Sequence, residues 1–380
     1  MFAFTLALMA CGNDGDNSSH NSNQQGNNHS KTNDNTTPET PSNDAKSFIA
    51  GADISWVTEQ EADGVKFFNT DGQQRDCFTL MKEIGMHAIR LRVWVDPQGY
   101  GYGKWCDKDD VVKKAVRAKN VGLDVMIDFH YSDFFADPSR QETPKAWQGL
   151  GLEDLKTKVK EHTVDVLSAV KQAGVNPKWV QVGNETRNGM MWPTGQFYDP
   201  SKNYAEISGA WENYVALTNA GYDAVKQVLS NATVIVHLNN AWQDCDWWFA
   251  KYRELGGKMD MIGLSHYPMA ENDKTWKEVN SLALKQIIHL INKYKVSVMI
   301  TEIGVKSGEE DASNAIEEFV NDARAIDQCM GAFYWEPQVY GGWVPAYYKT
   351  VKWGSYDMGG FTNDGRPTWF LCSMTRPLAP

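Results

Sequence analysis

The chain has 380 residues and carries 37 Lys and Arg against 48 Asp and Glu, a formal charge of −11. That balance argues against electrostatic binding to nucleic acid or to an anionic membrane surface, both of which want basic patches. Hydrophobic side chains make up 42%, enough for one large core, and the length does not force two domains because α/β barrels run past the usual single-domain size. The 15 Trp, 15 Tyr and 15 Phe suit a neutral polymer with flat apolar faces, such as a polysaccharide, although most large aromatics belong to a core.

In chain order, residues 2–10 form an apolar run far short of the roughly 20 residues of a membrane span. Residues 1–10 read as a signal peptide, with one departure: no Lys or Arg precedes the apolar run. Leu8, Met9, Ala10 and Cys11 resemble a bacterial lipoprotein cleavage site, so Cys11 is expected to become a lipidated first residue. The tract from there to residue 46 is rich in Asn, Ser, Asp, Thr and Gly. It has too few apolar side chains to offset chain entropy and is expected to be a disordered tether. The expectation is an exported outer-membrane lipoprotein at the cell surface, touching the membrane only through its lipid, with residues 47–380 as its single folded domain. Five cysteines remain, Cys77, Cys106, Cys245, Cys329 and Cys372. Export permits disulfides, an odd number leaves at least one thiol free, and the absence of a Cys-x-x-Cys spacing speaks against zinc.

From residue 48 onward, short β-rich runs alternate with helix-length amphipathic stretches. Strands are expected at 48–54, 87–95, 123–129, 179–182, 233–238, 259–264, 296–301 and 330–335. Helices are expected at 76–84, 109–119, 152–172, 204–228, 246–255, 275–294 and 312–325, with a short last one around Phe370. Regular β-then-α alternation implies a parallel sheet. Eight repeats favour a closed (β/α)8 barrel, and no Gly-x-Gly-x-x-Gly follows the first strand to support an open dinucleotide-binding sheet.

In such barrels the chemistry gathers at the C-terminal ends of the strands. Those ends read Asp53 and Trp56, then Arg90 to Trp94, Asp128 to Tyr131, Gly183-Asn184-Glu185, His237 to Asn240, Ser265 to Pro268, Thr301-Glu302, and Tyr334-Trp335-Glu336. Glycoside hydrolysis needs two carboxyl groups flanking the scissile bond, about 5–5.5 Å apart when configuration is retained. Glu185 and Glu302, on the fourth and seventh strands, can face each other across the barrel mouth as acid/base and nucleophile. Arg90 or Arg92 could hold Glu302 charged, or could instead close a structural salt bridge inside the barrel. A single Glu after a strand is usually a solvated loop residue, and Glu336, followed by Pro337, competes as an acid or caps its loop. His130 and His266 are expected in the site, and neither has the carboxylate spacing of a metal ligand.

At these residues the sequence resembles glycoside hydrolase family 53, the endo-β-1,4-galactanases. The similarity spans residues 48–370. It is carried by Gly51-Ala52-Asp53-Ile54-Ser55, Arg90-Leu91-Arg92-Val93-Trp94-Val95-Asp96-Pro97, and Asp128-Phe129-His130-Tyr131-Ser132-Asp133. Further along it is carried by Val182-Gly183-Asn184-Glu185, Trp192-Pro193-Thr194-Gly195, Ser265-His266-Tyr267-Pro268, Thr301-Glu302 and Tyr334-Trp335-Glu336-Pro337. The resemblance implies retaining hydrolysis of internal β-1,4-galactosyl links in the galactan side chains of pectin (type I arabinogalactan), releasing galactooligosaccharides. Glu185 falls on the family's acid/base and Glu302 on its nucleophile. Trp94 and Trp335 match aromatic platforms, and Asp53, His130, Asn184, His266 and Tyr267 match sugar-contacting positions, with Trp56 and Arg92 expected beside them. Two departures stand out. Thr186 and Arg187 follow Glu185 where an apolar and a small polar residue are expected. The last barrel loop, residues 338–367, differs from the Bacillus-type members whose long loop carries calcium. It shows no cluster of oxygen ligands, so no cofactor is expected. Its Trp343, Tyr347 and Trp353 are expected to shape outer sugar positions. The catalytic pair alone does not choose among galactan, xylan, mannan and β-glucan, and a decayed, purely glycan-binding barrel is the reading its two intact carboxylates oppose. A monomer is expected.

Overall fold

The computed structural model describes residues 48–199, 205–270 and 273–375. The apolar leader, Cys11 and the polar tract lie outside the described residues. Eight parallel strands close into a barrel: β1 (Ile49–Asp53), β2 (Ala88–Val93), β3 (Asp124–Phe129), β4 (Trp179–Val182), β5 (Thr233–Leu238), β6 (Met261–His266), β7 (Ser297–Ile303) and β8 (Cys329–Trp335). Each is followed by a helix: α1 (Cys77–Glu83), α2 (Lys108–Asn120), α3 (Leu152–Gln172), α4 (Ala210–Val228), α5 (Asp246–Glu254), α6 (Trp276–Tyr294), α7 (Ala312–Ala325) and α8 (Trp369–Ser373). β1 closes the ring by pairing with both β8 and β2. The expected (β/α)8 architecture is therefore the observed one.

The strands alternate with period two, because successive side chains of a strand point to opposite faces. Outward residues such as Ile89, Leu91, Val180, Val234 and Val236 are buried beneath the helices in one large core. Inward residues divide the barrel into two tiers. A lower plug of Ala88, Met126, Trp179, Ile235, Met261, Met299 and Phe333 is apolar. Above it, the next inward positions carry Asp53, Arg90, Arg92, Asp128, Gln181, His237 and Ser265, all fully buried. The plug seals the floor, and the polar tier faces the open mouth.

Three boundaries moved for physical reasons. β6 and β7 run past their expected ends to His266 and Ile303, because Ser265 and Glu302 keep pairing along the ladder where sequence polarity suggests a loop. The helix expected from residue 204 starts at Ala210, after Gly209 turns the backbone left-handed at φ 76°. Some ends are pinned by side chains: Asp76 and Asp107 cap α1 and α2, and Thr275 with Glu278 forms a capping box on α6. All five remaining cysteines are free and buried. No helix among the described residues is long and apolar enough to cross a membrane.

One glycine is required by the plug. Gly51 pairs with Phe333 across the β1–β8 ladder, and a Cβ there would lie 2.4 Å from the Phe333 ring. Gly51→Ala is therefore expected to destabilise the domain by about 2–3 kcal/mol through overpacking, read as a lower urea midpoint at unchanged slope.

Candidate active site

The polar tier is organised by Arg90. Its guanidinium is fully buried and reaches Asp53 at 2.7 Å, Asp128 at 2.9 Å and Glu302 at 3.0 Å. It also donates to Asn184 Oδ1 at 2.8 Å and to Gln181 Oε1 at 3.2 Å. A guanidinium supplies five donors in a fixed planar fork, so one side chain can orient several acceptors at once. Arg90, not Arg92, is thus the cation beside Glu302. Arg92 lies fully buried in an ion pair with Glu336, which also accepts from the Trp56 amide and Gln338. Glu336 therefore serves as a buried counter-ion.

Glu302 reaches the mouth through an irregularity. Strict alternation after Met299 would turn Thr301 inward and Glu302 outward. The ladder slips instead: Leu264 pairs with Ile300, but Ser265 pairs with Glu302, and the slip recurs against β8. The β-bulge re-aims Glu302 to the side of Ser265, as bulges beside active sites do. The Tyr267 hydroxyl then donates to Glu302 Oε2 at 2.9 Å.

Glu185 is held differently. Its backbone is left-handed at φ 49°, a conformation that costs a non-glycine residue about 1–2 kcal/mol. The hydrogen bonds on either side hold it there. Gln141 donates to the Asn184 carbonyl at 2.7 Å, and the Thr186 amide donates to the His237 carbonyl at 2.9 Å. Ser265 Oγ bonds Glu185 Oε1 at 2.6 Å and stands 2.8 Å from His237 Nε2. A hydroxyl both donates and accepts, so Ser265 can hold the Glu185 carboxyl with or without its proton. Asn184 spans the gap, donating through its amide to the Ala136 carbonyl at 2.8 Å.

The two carboxyls are set apart electrostatically. Burial lifts Glu185 well above the ordinary carboxyl range, and the charge on Glu302 lifts it further. Glu302 is raised less, to about 7: burial lifts it most, the Arg90 charge and the Tyr267 hydroxyl lower it, and the Asp128 and Asp53 charges offset part of that lowering. With no comparable cation against it, Glu185 takes the proton and Glu302 keeps the charge. Burial and the Arg90 charge hold His237 well below its usual basicity, so its ring stays neutral.

Both carboxyls line one cavity of about 180 Å³ with His130, Asp137, Asn184, Tyr267 and Trp335. Phe135, Tyr348 and the 44%-exposed Trp353 complete its wall. Of the residues expected to contact sugar, the structure brings His130, Asn184, Tyr267 and Trp335 to this cavity. His130 Nδ1 accepts from the Ala136 amide at 2.9 Å, which leaves the ring proton on Nε2, 2.9 Å from Asp128.

Five expected contacts lie elsewhere. Asp53 is sealed beneath Arg90. Trp56 and Trp94 are 1% and 3% exposed, with the Arg92 guanidinium 5.0 and 5.3 Å from their ring centres and 4.7 Å from that of Phe135. They carry the aromatic wall from below, Trp56 meeting Trp335 edge-on at 5.2 Å. His266 points out of the barrel, because it follows inward-facing Ser265 by one residue. It stacks on Phe319 at 4.0 Å and bonds Asn280 at 2.8 Å.

Asp137, Phe135 and Tyr348 escaped the sequence reading as site residues. Asp137 and Phe135 sit on the loop after β3 and Tyr348 on a short helix (Ala346–Val351) within the connection after β8, segments whose reach is set by packing and too short to carry a periodic signal. Among the described residues no group of three His, Cys, Asp or Glu side chains could hold a metal ion.

A barrel whose fourth and seventh strands present one protonated and one ionised carboxyl in a sugar-sized cleft walled by aromatics defines a glycoside hydrolase. The family profile of glycosyl hydrolase family 53 matches residues 49–368, and the chain belongs to that family. It is 32% identical over 356 residues to the endo-β-1,4-galactanase of Bacillus subtilis (strain 168), covering 83% of this chain and 76% of that protein. It is 30% identical over 310 residues to the arabinogalactan endo-β-1,4-galactanase of Thermothelomyces thermophilus, covering 76% and 88%. Among solved structures, a fungal β-1,4-galactanase superposes with a TM-score of 0.73 at 25% identity, over 87% of this chain and 99% of that one. The GH53 catalytic domain of Ignisphaera aggregans superposes with a TM-score of 0.71 at 28% identity, over 90% and 98%.

Each carboxyl has one hydroxyl partner, so the two limbs of the pH profile should move separately. Removing a donor from a carboxylate disfavours its charged form and raises its pKa. Tyr267→Phe is expected to move the acid limb of kcat/KM to higher pH by about one unit, and Ser265→Ala to move the alkaline limb to higher pH by a similar amount. Profiles in which either variant shifts the other limb would reverse the pairing.

Proposed function

We propose that this chain is an endo-acting, retaining β-1,4-galactanase of pectic galactan, with Glu302 as nucleophile and Glu185 as acid/base. The observation that carries the roles is the unequal support of the two carboxyls, Glu302 against Arg90 and Glu185 against the neutral Ser265–His237 pair. A Glu302 oxygen attacks the anomeric carbon of the sugar in the central cavity while Glu185 gives its proton to the departing glycosidic oxygen. Glu185, now ionised, takes a proton from the water that attacks the same carbon and frees Glu302. The Ser265 hydroxyl donates to Glu185 Oε1 in both steps and leaves the other carboxyl oxygen free to carry the proton. Asn184, oriented by Arg90, lies within reach of the sugar hydroxyl next to the reacting carbon. The galactan substrate follows from the names of the relatives, and the open cleft suits attack inside a chain. Product length and the number of sugar positions rest with the loops after β4, β5 and β8.

The leader and Cys11 support a second part of the reading, a monomer tethered by lipid to the outer membrane and displayed at the cell surface. Brief protease treatment of intact cells is expected to remove it, and a fully protected enzyme would place it inside the envelope instead.

The catalytic roles are tested by substitution. Glu302→Gln is expected to lower kcat on linear β-1,4-galactan by more than about a thousandfold with little change in unfolding midpoint. Glu185→Ala should lose activity on galactan too, but on an aryl β-galactoside, whose phenolate leaves without an acid, azide should attack the glycosyl-enzyme without a base, restore turnover and yield a β-galactosyl azide. An active Glu302→Gln enzyme, or azide rescue with inverted product from the Glu185 variant, would overturn the assignment.

A further inference from the structure

Beyond the central cavity lies a wider one of about 530 Å³, lined by Arg187, Asn188, Tyr198, Asn239, Gln243 and Trp247 among others. It adjoins the site on a definite side. Asp137 lines the central cavity and Pro138 the outer one, Glu185 the central and Arg187 the outer. Asn188 ties the two loops together, donating to the Pro138 carbonyl at 2.9 Å. In the mechanism above, Glu185 protonates the oxygen that departs with the leaving chain, so the space on its far side belongs to that chain. The wall of Trp335, Tyr348 and Trp353 then takes the other half. If about 180 Å³ accommodates the ring at which the bond breaks, about 530 Å³ accommodates more than one further unit. Trp247, 41% exposed at the rim, offers an aromatic face for one of them.

The unusual wall residue is Arg187, at a position where the family resemblance leads one to expect a small polar side chain. Its Nε donates to Asn239 Oδ1 at 2.9 Å, Nη2 to the Asn239 carbonyl at 3.0 Å and Nη1 to the Asp244 carbonyl at 3.3 Å. All three acceptors are neutral. Among the described residues no carboxylate comes within the 4.0 Å of an ion pair, in contrast to Arg90 and Arg92. The titratable groups that reach it, the Cys245 thiol, Asp244 and Glu185, act from farther away, and burial holds its basicity below the usual guanidinium value. A mostly buried cation without a counter-ion is costly to keep. Neutral sugar hydroxyls would be served by the amides of Asn188, Asn239 and Gln243 alone. The fork left to Arg187 matches a carboxylate, which it can bind through two parallel hydrogen bonds.

We propose that this cavity binds the leaving half of the substrate and that Arg187 recognises a uronic-acid residue there, directing cleavage to galactosyl links next to an acidic sugar. The inference rests on the galactanase reading. Its test uses the full-length protein and two substrates of equal length, β-1,4-galactotetraose and the same oligosaccharide ending in galacturonic acid at its reducing terminus. The expected result is a kcat/KM about tenfold higher for the acidic substrate, a preference that shrinks as salt is raised. Arg187→Ser should bring the ratio to about one or below, while Arg187→Lys should retain part of it. Because the ratio is taken within each variant, a general loss of activity cancels. Normal hydrolysis of the neutral tetraose with no acidic preference would overturn the inference and leave the galactanase reading standing, as would a preference that survives Arg187→Ser. Failure to cleave the neutral tetraose at all would overturn both.

Discussion

The site depends on one buried cation. Arg90 has no exposed surface and is surrounded by Asp53, Asp128 and Glu302, each within 3.0 Å. An isolated guanidinium in that position would carry a large desolvation penalty, and three carboxylates without it would repel one another. Each makes the other tolerable, and the geometry that satisfies both fixes where Glu302 sits and how Asn184 is turned. Such a cluster is weak evidence for stability, since apolar replacements of buried ion pairs are often neutral or stabilising. Its value lies in orientation, and it stands at the barrel mouth for that reason.

The barrel supplies the conditions under which so much charge can be buried. The apolar plug of Met126, Trp179, Ile235, Met261, Met299 and Phe333 closes the lower half. The polar tier above it is then bounded by a low-dielectric floor, where electrostatic interactions are stronger than in water. Arg92 repeats the device one layer outward, paired with Glu336 and sheathed by Trp56, Trp94 and Phe135. The aromatic wall that a sugar meets, Trp335 with Tyr348 and Trp353, rests on that second buried pair.

The two carboxyls of the reaction are set apart by their neighbours and by two local irregularities of the backbone. A bulge in β7 brings Glu302 round to face Arg90, and a left-handed residue at the end of β4 lifts Glu185 toward Ser265. Both depart from regular strand geometry, and both are held by hydrogen bonds from adjacent strands. Strain of this kind persists where the surroundings over-determine it, and it concentrates at functional sites.

The amino-acid order by itself determined the β-then-α rhythm, the eight strands, the apolar and polar faces of each strand, and the two Glu at the fourth and seventh strand ends, because these rest on local periodicity and short motifs. It also marked Asn184, His130, Tyr267 and Trp335, which end a strand or follow one within two residues. Only the tertiary structure decided which of Arg90 and Arg92 meets Glu302, since the two are alike in sequence and differ by one layer of the barrel. It alone showed that Asp53, Trp56, Arg92 and Trp94 lie under the cleft and that His266 faces outward, because depth below a surface and the side on which a residue emerges after a bulge come from packing between strands distant in sequence. Asp137, Phe135 and Tyr348 joined the site in the same way, brought there by connecting segments whose paths depend on the helices and strands they cross.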